Sequence, residues 1–338
     1  MPEMHDPIAT PEVRDPEPGS WPVLVTGAGG FVGGHIARHL AQAGHRVRGL
    51  ARSQPAHFPG DPPIEWFLGD LRDPSTLRSA VSGMRGVIHT AAWVSLGRDR
   101  RGNSQAINVD ATRELLNRSN HAGVERFVYT STLHTLATGS REFPADENTP
   151  WNLQTIDSPY SRTKREAESI VSEASNASFS TIILCPGMVL GPRAPKPTST
   201  QLIHTLAKTP VAMVPSGGIP IVDTSVIALA HRRALHLGMP GERYAIVGSY
   251  LNYVELAHVV AKVGGWPKRV LVIPSSLERP AKTIAMVIER LHLAREISPT
   301  TVAGGFLQLH VSGKKGDQCF GLVHPPAIDS IRATLKCS

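Results

Sequence analysis

The chain has 338 residues, 41% of them hydrophobic, and a formal net charge of +7. That length accommodates one large or two modest globular domains, and the apolar content excludes a fibrous or wholly disordered chain. The positive charge suits anionic partners such as nucleotide phosphates, but there is no basic block with interleaved aromatics and no run of 18 apolar residues, so neither a nucleic-acid-binding protein nor a membrane-spanning helix is expected.

Residues 1–20, MPEMHDPIATPEVRDPEPGS, are acidic and proline-rich and lack the basic start and apolar centre of a signal peptide, so they read as a disordered tail. From Trp21 onward apolar runs alternate with helical patterns. Strands are expected at 22–26, 46–51, 64–70, 86–92, 126–131 and 180–185, and helices at about 31–43, 74–82, 104–121 and 159–176. Asp73 before Pro74 is a helix N-cap with proline at the first helical position. This alternation predicts an α/β fold, a doubly wound parallel sheet covered on both faces, over residues 21–190.

The pattern loosens after Cys185. PGMVLGPRAPKPTSTQ reads as a long loop, followed by a helix near 200–208, a strand near 243–247 and a helix near 252–263. Residues 191–338 are expected to form mainly a smaller substrate-binding lobe over the strand ends, with some chain returning to the sheet. The amphipathic segment PAKTIAMVIERLHLAREI is expected to be a packed helix rather than a membrane anchor. Cys185, Cys319 and Cys337 are an odd set without metal-ligand spacing, which fits a reducing, cytoplasmic compartment.

Three motifs point to chemistry. TGAGGFVGGH, residues 26–35, sets Gly27-x-x-Gly30-x-x-Gly33 between a strand and a helix. Glycine permits positive φ and close backbone approach, and a helix N-terminus presents unpaired N–H groups, so the loop suits a pyrophosphate. SPYSRTKREAE places Tyr160 and Lys164 four apart on one helical face, and Lys164 is the first lysine of the chain. A tyrosine can give a proton to a carbonyl oxygen as hydride reaches the carbon, and a nearby ammonium would make it more acidic. FVYTSTLHT ends the fifth strand, where the hydroxyl of Ser131 or Thr132 can orient a substrate carbonyl. His35 and His39 share a helical face but have no recognisable third ligand, so no metal is expected, and His89 reads as a packed strand residue.

The motifs TGAGGFVG, GDLRD, HTAA, YTST, YSRTK and CPGMVLGPR stand in the order found in extended short-chain dehydrogenase/reductases, the NAD-dependent epimerase/dehydratase family, which the chain resembles over roughly residues 22–335 and most specifically through about residue 195. Within that family it is similar to dihydroflavonol 4-reductase-like proteins. Among these it is most similar to the hopanoid-associated sugar epimerase group, which carries a similar GPR…KPT run, Gly191 to Thr198, and a similar PGERY, Pro240 to Tyr244.

The resemblance implies a Rossmann-type fold binding NADP or NAD. Gly27, Gly30 and Gly33 would face the pyrophosphate, with Phe31 and Val32 of the same loop among the cofactor contacts. Asp70 would bind the adenine amine, with Leu71 beside it, and Ala91 and Ala92 would line the groove. Pro186, Gly187 and Val189 would pass the nicotinamide. Thr132 would be the catalytic hydroxyl, although Ser131 stays open, Tyr160 the general acid, and Lys164 the partner of ribose and phenol. A homodimer through the helices at 104–121 and 159–176 is also implied.

The second strand ends VRGLARSQ, with Arg52 where an NAD enzyme usually places a carboxylate, so NADP is expected ahead of NAD. Leu133 and His134 replace the Asp-Glu pair of the family's dehydratases, and STLHTLATG departs from the epimerases' SSxxVYG. A reductase or alcohol dehydrogenase acting on a small carbonyl or alcohol is therefore expected. An epimerase with tightly bound NAD and a non-catalytic dinucleotide sensor are the alternatives, although a pure sensor has no use for Tyr160. Trp93, His134, Met188 and the loop from Lys196 to Thr200 are expected to line the substrate pocket.

Overall fold

Parallel strands buried on both faces have to be apolar along their whole length, and the first strand shows this. Val23 and Val25 pack on one face of the central sheet, Leu24 on the other, and all three are fully buried. A computed structural model describes residues 20–57, 59–94, 97, 99, 101–194, 200–291 and 297–336. The expected tail up to residue 19 and residues 195–199 of the expected loop lie outside the described residues.

The first half runs β1 (Pro22–Thr26), α1 (Phe31–Gln42), β2 (Arg46–Ala51), β3 (Glu65–Leu68), α2 (Pro74–Val81), β4 (Gly86–His89), α3 (Ala111–His121), β5 (Arg126–Thr130), α4 (Pro159–Glu173) and β6 (Ser180–Pro186). α2 starts as read, with the Asp73 carboxylate accepting from Ser75 N. α3 continues from a π-type turn, Gln105–Asp110, inside what the sequence suggested was one regular helix. α4 carries Pro159 in its first turn and a reciprocal cap between Ser158 and Ser161.

The second half contributes β7 (Met188–Leu190), α5 (Gln201–Lys208), β8 (Val211–Pro215), β9 (Gly218–Asp223), α6 (Thr224–Ala234), β10 (Arg243–Ile246), β11 (Tyr250–Asn252), α7 (Tyr253–Gly264), β12 (Arg269–Ile273), α8 (Glu278–Arg290), α9 (Pro299–Phe306), α10 (Lys314–Phe320) and α11 (Ala327–Lys336). β7 corrects the reading of PGMVLGPR as loop: Met188–Leu190 pairs in parallel with β9. α8 packs on α9 as expected, yet Ala285 is its one buried residue, and Ile284 and Val287, with Leu291 just past its end, are exposed.

The central sheet has the order β3-β2-β1-β4-β5-β6-β10 with every pair parallel. Strand order reverses between β1 and β4, the switch point at which open α/β sheets leave a crevice at their C-terminal ends. β10 enters this sheet from beyond residue 191, and α6 packs on α1 with it. Two small sheets, β11-β9-β7 and β12-β8, stand apart, with a separate core of Leu190, Ile203, Leu256, Val260 and Ile331 among others.

The β1–α1 turn depends on two glycines for different reasons. Gly27 has φ +70, the left-handed region, and lies against Ala91. Gly33 sits beneath the loop, where an added Cβ would stand 2.4 Å from Gly27 O. Gly33→Ala is therefore expected to destabilise the fold by roughly 1–3 kcal/mol through overpacking against backbone, read as a lower denaturation midpoint in urea. Unchanged stability would show that the loop is not held by this contact.

Candidate active site

The C-terminal ends of the first six strands open on one cleft of about 610 Å³. Its lining includes residues from the β1–α1 loop, the ends of β2 and β3, the turn after β4, the end of β5, one face of α4, and the chain from Pro186 to Val189. Every expected cofactor residue lines it: Gly27, Gly30, Phe31, Val32, Gly33, Arg52, Asp70, Leu71, Ala91, Ala92, Tyr160, Lys164, Pro186, Gly187 and Val189. Thr132, Trp93 and Met188 line it too. His134 does not; it is half-buried, and its carbonyl accepts from Trp151 Nε1 at 3.1 Å.

Among the loop glycines the exposed pair is Gly29 and Gly30, whereas Gly33 is buried. The sequence reading did not place Gly29 among the cofactor contacts, though it is exposed at the cleft, and Gly33, which also lines the cleft, is packed against Gly27. Gly29 lies beside Ala51 and Pro55, so the exposed Arg52 at the end of β2 stands next to the open part of the loop. Asp70 is already engaged. Arg72 donates to it from its backbone N at 2.9 Å and from its guanidinium at 3.0 and 2.7 Å. Those side-chain and backbone bonds hold the carboxyl down at about 2.

Lys164 is 2% exposed, yet its Nζ reaches the cleft lining. It donates to Thr130 O at 2.6 Å and to Tyr129 Oη at 3.0 Å. Burial lowers it to about 7, opposed by the charge of Glu168 one turn later on α4. Glu168 is itself buried. Its carboxylate accepts from Thr135 Oγ1 at 2.5 Å and from Cys185 Sγ at 3.5 Å, and it pairs with Arg243 of β10 at 3.6 Å.

The half-buried Tyr160 phenol faces the Thr132 side chain. Burial pushes the phenol up to about 12, partly offset by the Thr132 hydroxyl. The expected acidification of Tyr160 by Lys164 is not what shapes this phenol; the ammonium is turned to Tyr129 and Thr130 instead. Thr132, not Ser131, is the hydroxyl in contact with Tyr160. Ser131 Oγ is buried beside it with no hydrogen-bond partner, a donor and acceptor aimed at a cleft that would otherwise leave it unsatisfied.

Asn108 was absent from the sequence reading. Inside the π-type turn, it accepts from Trp93 N at 2.7 Å and donates to Trp93 O at 3.0 Å and to Thr163 Oγ1 of α4 at 3.0 Å. It therefore ties the wall of the cleft to the Tyr160 helix. The irregular turn it occupies has no clear residue signature, so periodicity alone does not find it.

His89 is packed, as its strand position suggested. Thr112 gives its proton to Asn108 O at 2.8 Å, so it accepts from His89 Nε2 at 2.9 Å, and His89 Nδ1 then accepts from Thr26 Oγ1 at 2.6 Å. The ring is a neutral Nε2–H tautomer by elimination. His231 works similarly behind β5, donating Nδ1–H to Ile227 O and accepting from Thr130 Oγ1 at 2.8 Å. His35 donates to Pro192 O at 2.8 Å.

The comparisons with known proteins agree with this geometry. Residues 23–214 match the NAD dependent epimerase/dehydratase family, and the chain belongs to that family. A Synechocystis protein named as a dihydroflavonol 4-reductase is 29% identical over 289 residues, 83% of each chain. A Mycobacterium tuberculosis 3 beta-hydroxysteroid dehydrogenase/Delta 5-->4-isomerase is 29% identical, over 93% of this chain and 89% of that one. The crystal structure of gox2253 superposes with a TM-score of 0.79 at 28% identity, over 94% of this chain and 98% of that one.

Burial lowers His89 to about 3 and His134 and His231 to about 4. Each folded value lies below the ordinary 6.5, so the unfolded chain binds more protons as pH falls from 6.5 towards 4, and stability is lost over that window. At pH 5 the loss should be on the order of 1–2 kcal/mol per histidine. Thermal unfolding across pH 7.5 to 4.5 checks this; a flat Tm between pH 7 and 5 would contradict the buried neutral rings.

Proposed function

We propose that this family member is an NADP-preferring oxidoreductase that moves hydride between a nicotinamide and an uncharged, largely apolar carbonyl or alcohol. The observation that carries the reading is Tyr160, a phenol pushed up to about 12, facing Thr132 and set on one wall of a cleft with the exposed Gly29–Gly30 loop on another. The orphaned Ser131 hydroxyl and the open glycine loop fit a dinucleotide with a substrate beside it. The names of the two relatives, a reductase and a hydroxysteroid dehydrogenase, favour net redox chemistry over epimerisation.

A bound dinucleotide would supply or accept the hydride. Gly29 and Gly30, at the N-terminus of α1, would hold its pyrophosphate, and Arg52 a 2′-phosphate. Thr132 and Ser131 orient the substrate oxygen, and Tyr160 gives it the proton. Lys164 has three N–H groups and two protein acceptors, so one is left for the cleft it lines. Trp93, Val94, Ile107 and Met188 supply apolar contact for the substrate body.

At neutral pH the phenol is in the protonated form that carbonyl reduction requires, so reduction should be favoured there and alcohol oxidation should rise with pH. Tyr160→Phe should keep Tm and dinucleotide affinity and lose about 10²–10⁴-fold in single-turnover hydride transfer to an apolar ketone. Wild-type transfer in that variant would remove Tyr160 as the acid. Net NADPH consumption with substrate separates a reductase from an epimerase, which shows none. Arg52→Ala should weaken NADPH by about 1.5–3 kcal/mol and leave NADH unchanged; equal affinities for both cofactors in the wild type would refute the NADP preference.

A further inference from the structure

An amphipathic helix on a globular protein normally turns its apolar face inward. α8 does so only in part: Ala285 is buried and Ile288 half-buried, but much of its apolar surface faces outward. Ile284, Val287 and Leu291 form one stripe at helical spacing, with Leu277 just before the helix, and these four are 48–61% exposed. The charges sort in the opposite sense. Glu278 and Glu289 are half-buried, Glu278 paired with Lys282 at 3.5 Å, while the exposed charges on the helix are Arg279 and Arg290. The outward face is thus apolar residues flanked by arginine, without an exposed carboxylate.

The element feeding α8 has the same character. In the β8–β12 pair Met213 stands opposite Leu271 and Val211 opposite Arg269, and all four are exposed. The far end of α8 approaches the cleft. Gly97, three residues beyond the cleft-lining Val94, lies against Glu289 and Ser298. Trp93 and Val94 are themselves exposed at the cleft.

We infer that the outward face of α8 docks this protein on a bilayer containing anionic phospholipid, bringing the mouth of the cleft to the lipid surface. Exposed apolar stripes bordered by cations are what an interfacial helix presents to acyl chains and anionic headgroups. A helix of 13 residues is about 20 Å long, too short to cross the roughly 30 Å hydrocarbon core, so it lies in the interface. The charge pattern favours this partner over a second copy of the chain, since two such faces would bring arginine against arginine. The docking does not depend on the oxidoreductase reading; only entry of an apolar substrate from the lipid rests on it.

The test is vesicle flotation of the full chain with phosphatidylcholine alone and with phosphatidylcholine plus phosphatidylglycerol, alongside light scattering for oligomeric state. The expected result is flotation with the anionic vesicles, weak flotation with neutral ones, and about a tenfold loss in the double variant Ile284→Glu/Val287→Glu. Arg279→Glu/Arg290→Glu should reduce binding to the anionic vesicles alone. All four positions are exposed, so circular dichroism and Tm should stay unchanged. Three results would overturn the inference: no flotation with either vesicle, flotation that survives Ile284→Glu/Val287→Glu, or a dimer that the same variant splits without any vesicle binding. If flotation holds while no dinucleotide binds, the docking stands and the proposed reaction fails.

Discussion

The site is organised around one buried cation. An ammonium taken out of water costs several kcal/mol unless its hydrogen bonds and a counter-charge are supplied. Lys164 meets both demands from three elements of the fold. Tyr129 and Thr130 at the end of β5 accept from it, Glu168 lies one turn along the same helix, and Arg243 of β10 anchors that carboxylate. Thr130 is fixed in turn by His231, and the Tyr129 ring lies 4.3 Å from Nζ. Removing Glu168 would leave Lys164 and Arg243 as two cations without their shared anion.

This arrangement explains why chain from beyond residue 191 returns to the sheet. β10 does more than cover an edge, because it carries Arg243, which also donates to the Glu147 carbonyl while Glu147 Oε1 accepts from Ala245 N at 2.7 Å. The Tyr160 helix is therefore held at three levels. Its start is capped by Ser158 and Ser161, its middle is tied to the cleft wall through Asn108 and Thr163, and its inner face is joined to β10 through Glu168. Such support is what sets a phenol and a hydroxyl in reach of one substrate oxygen.

How much of this was legible in the sequence follows from range. The glycine loop, the strand-helix alternation and the four-residue step from Tyr160 to Lys164 are local signals, and the structure gathers all of them on one cleft. The pairing of Glu168 with Arg243 joins positions 75 apart, and His89 is held from Thr26 and Thr112, so no spacing rule finds them. His134, two residues after Thr132, was read towards the cleft, but the tight turn at Leu133–Thr135 carries it aside. α8 shows the limit of periodicity: its pattern reveals an apolar face without saying which way that face points.

The claim that the site depends on a near-neutral buried cation is tested most directly by the titration of Lys164, followed as the pH dependence of NADPH affinity with Lys164→Met as the blank. Groups facing it are Tyr129, Glu168, Cys185 and His89, with Arg243 behind Glu168. The account predicts a limb near pH 7 that vanishes in Lys164→Met, moves to lower pH in Glu168→Gln, where the anion is lost, and to higher pH in Arg243→Met, where the competing cation is lost. A limb near the ordinary lysine range, or shifts of the same sign in both variants, would contradict it.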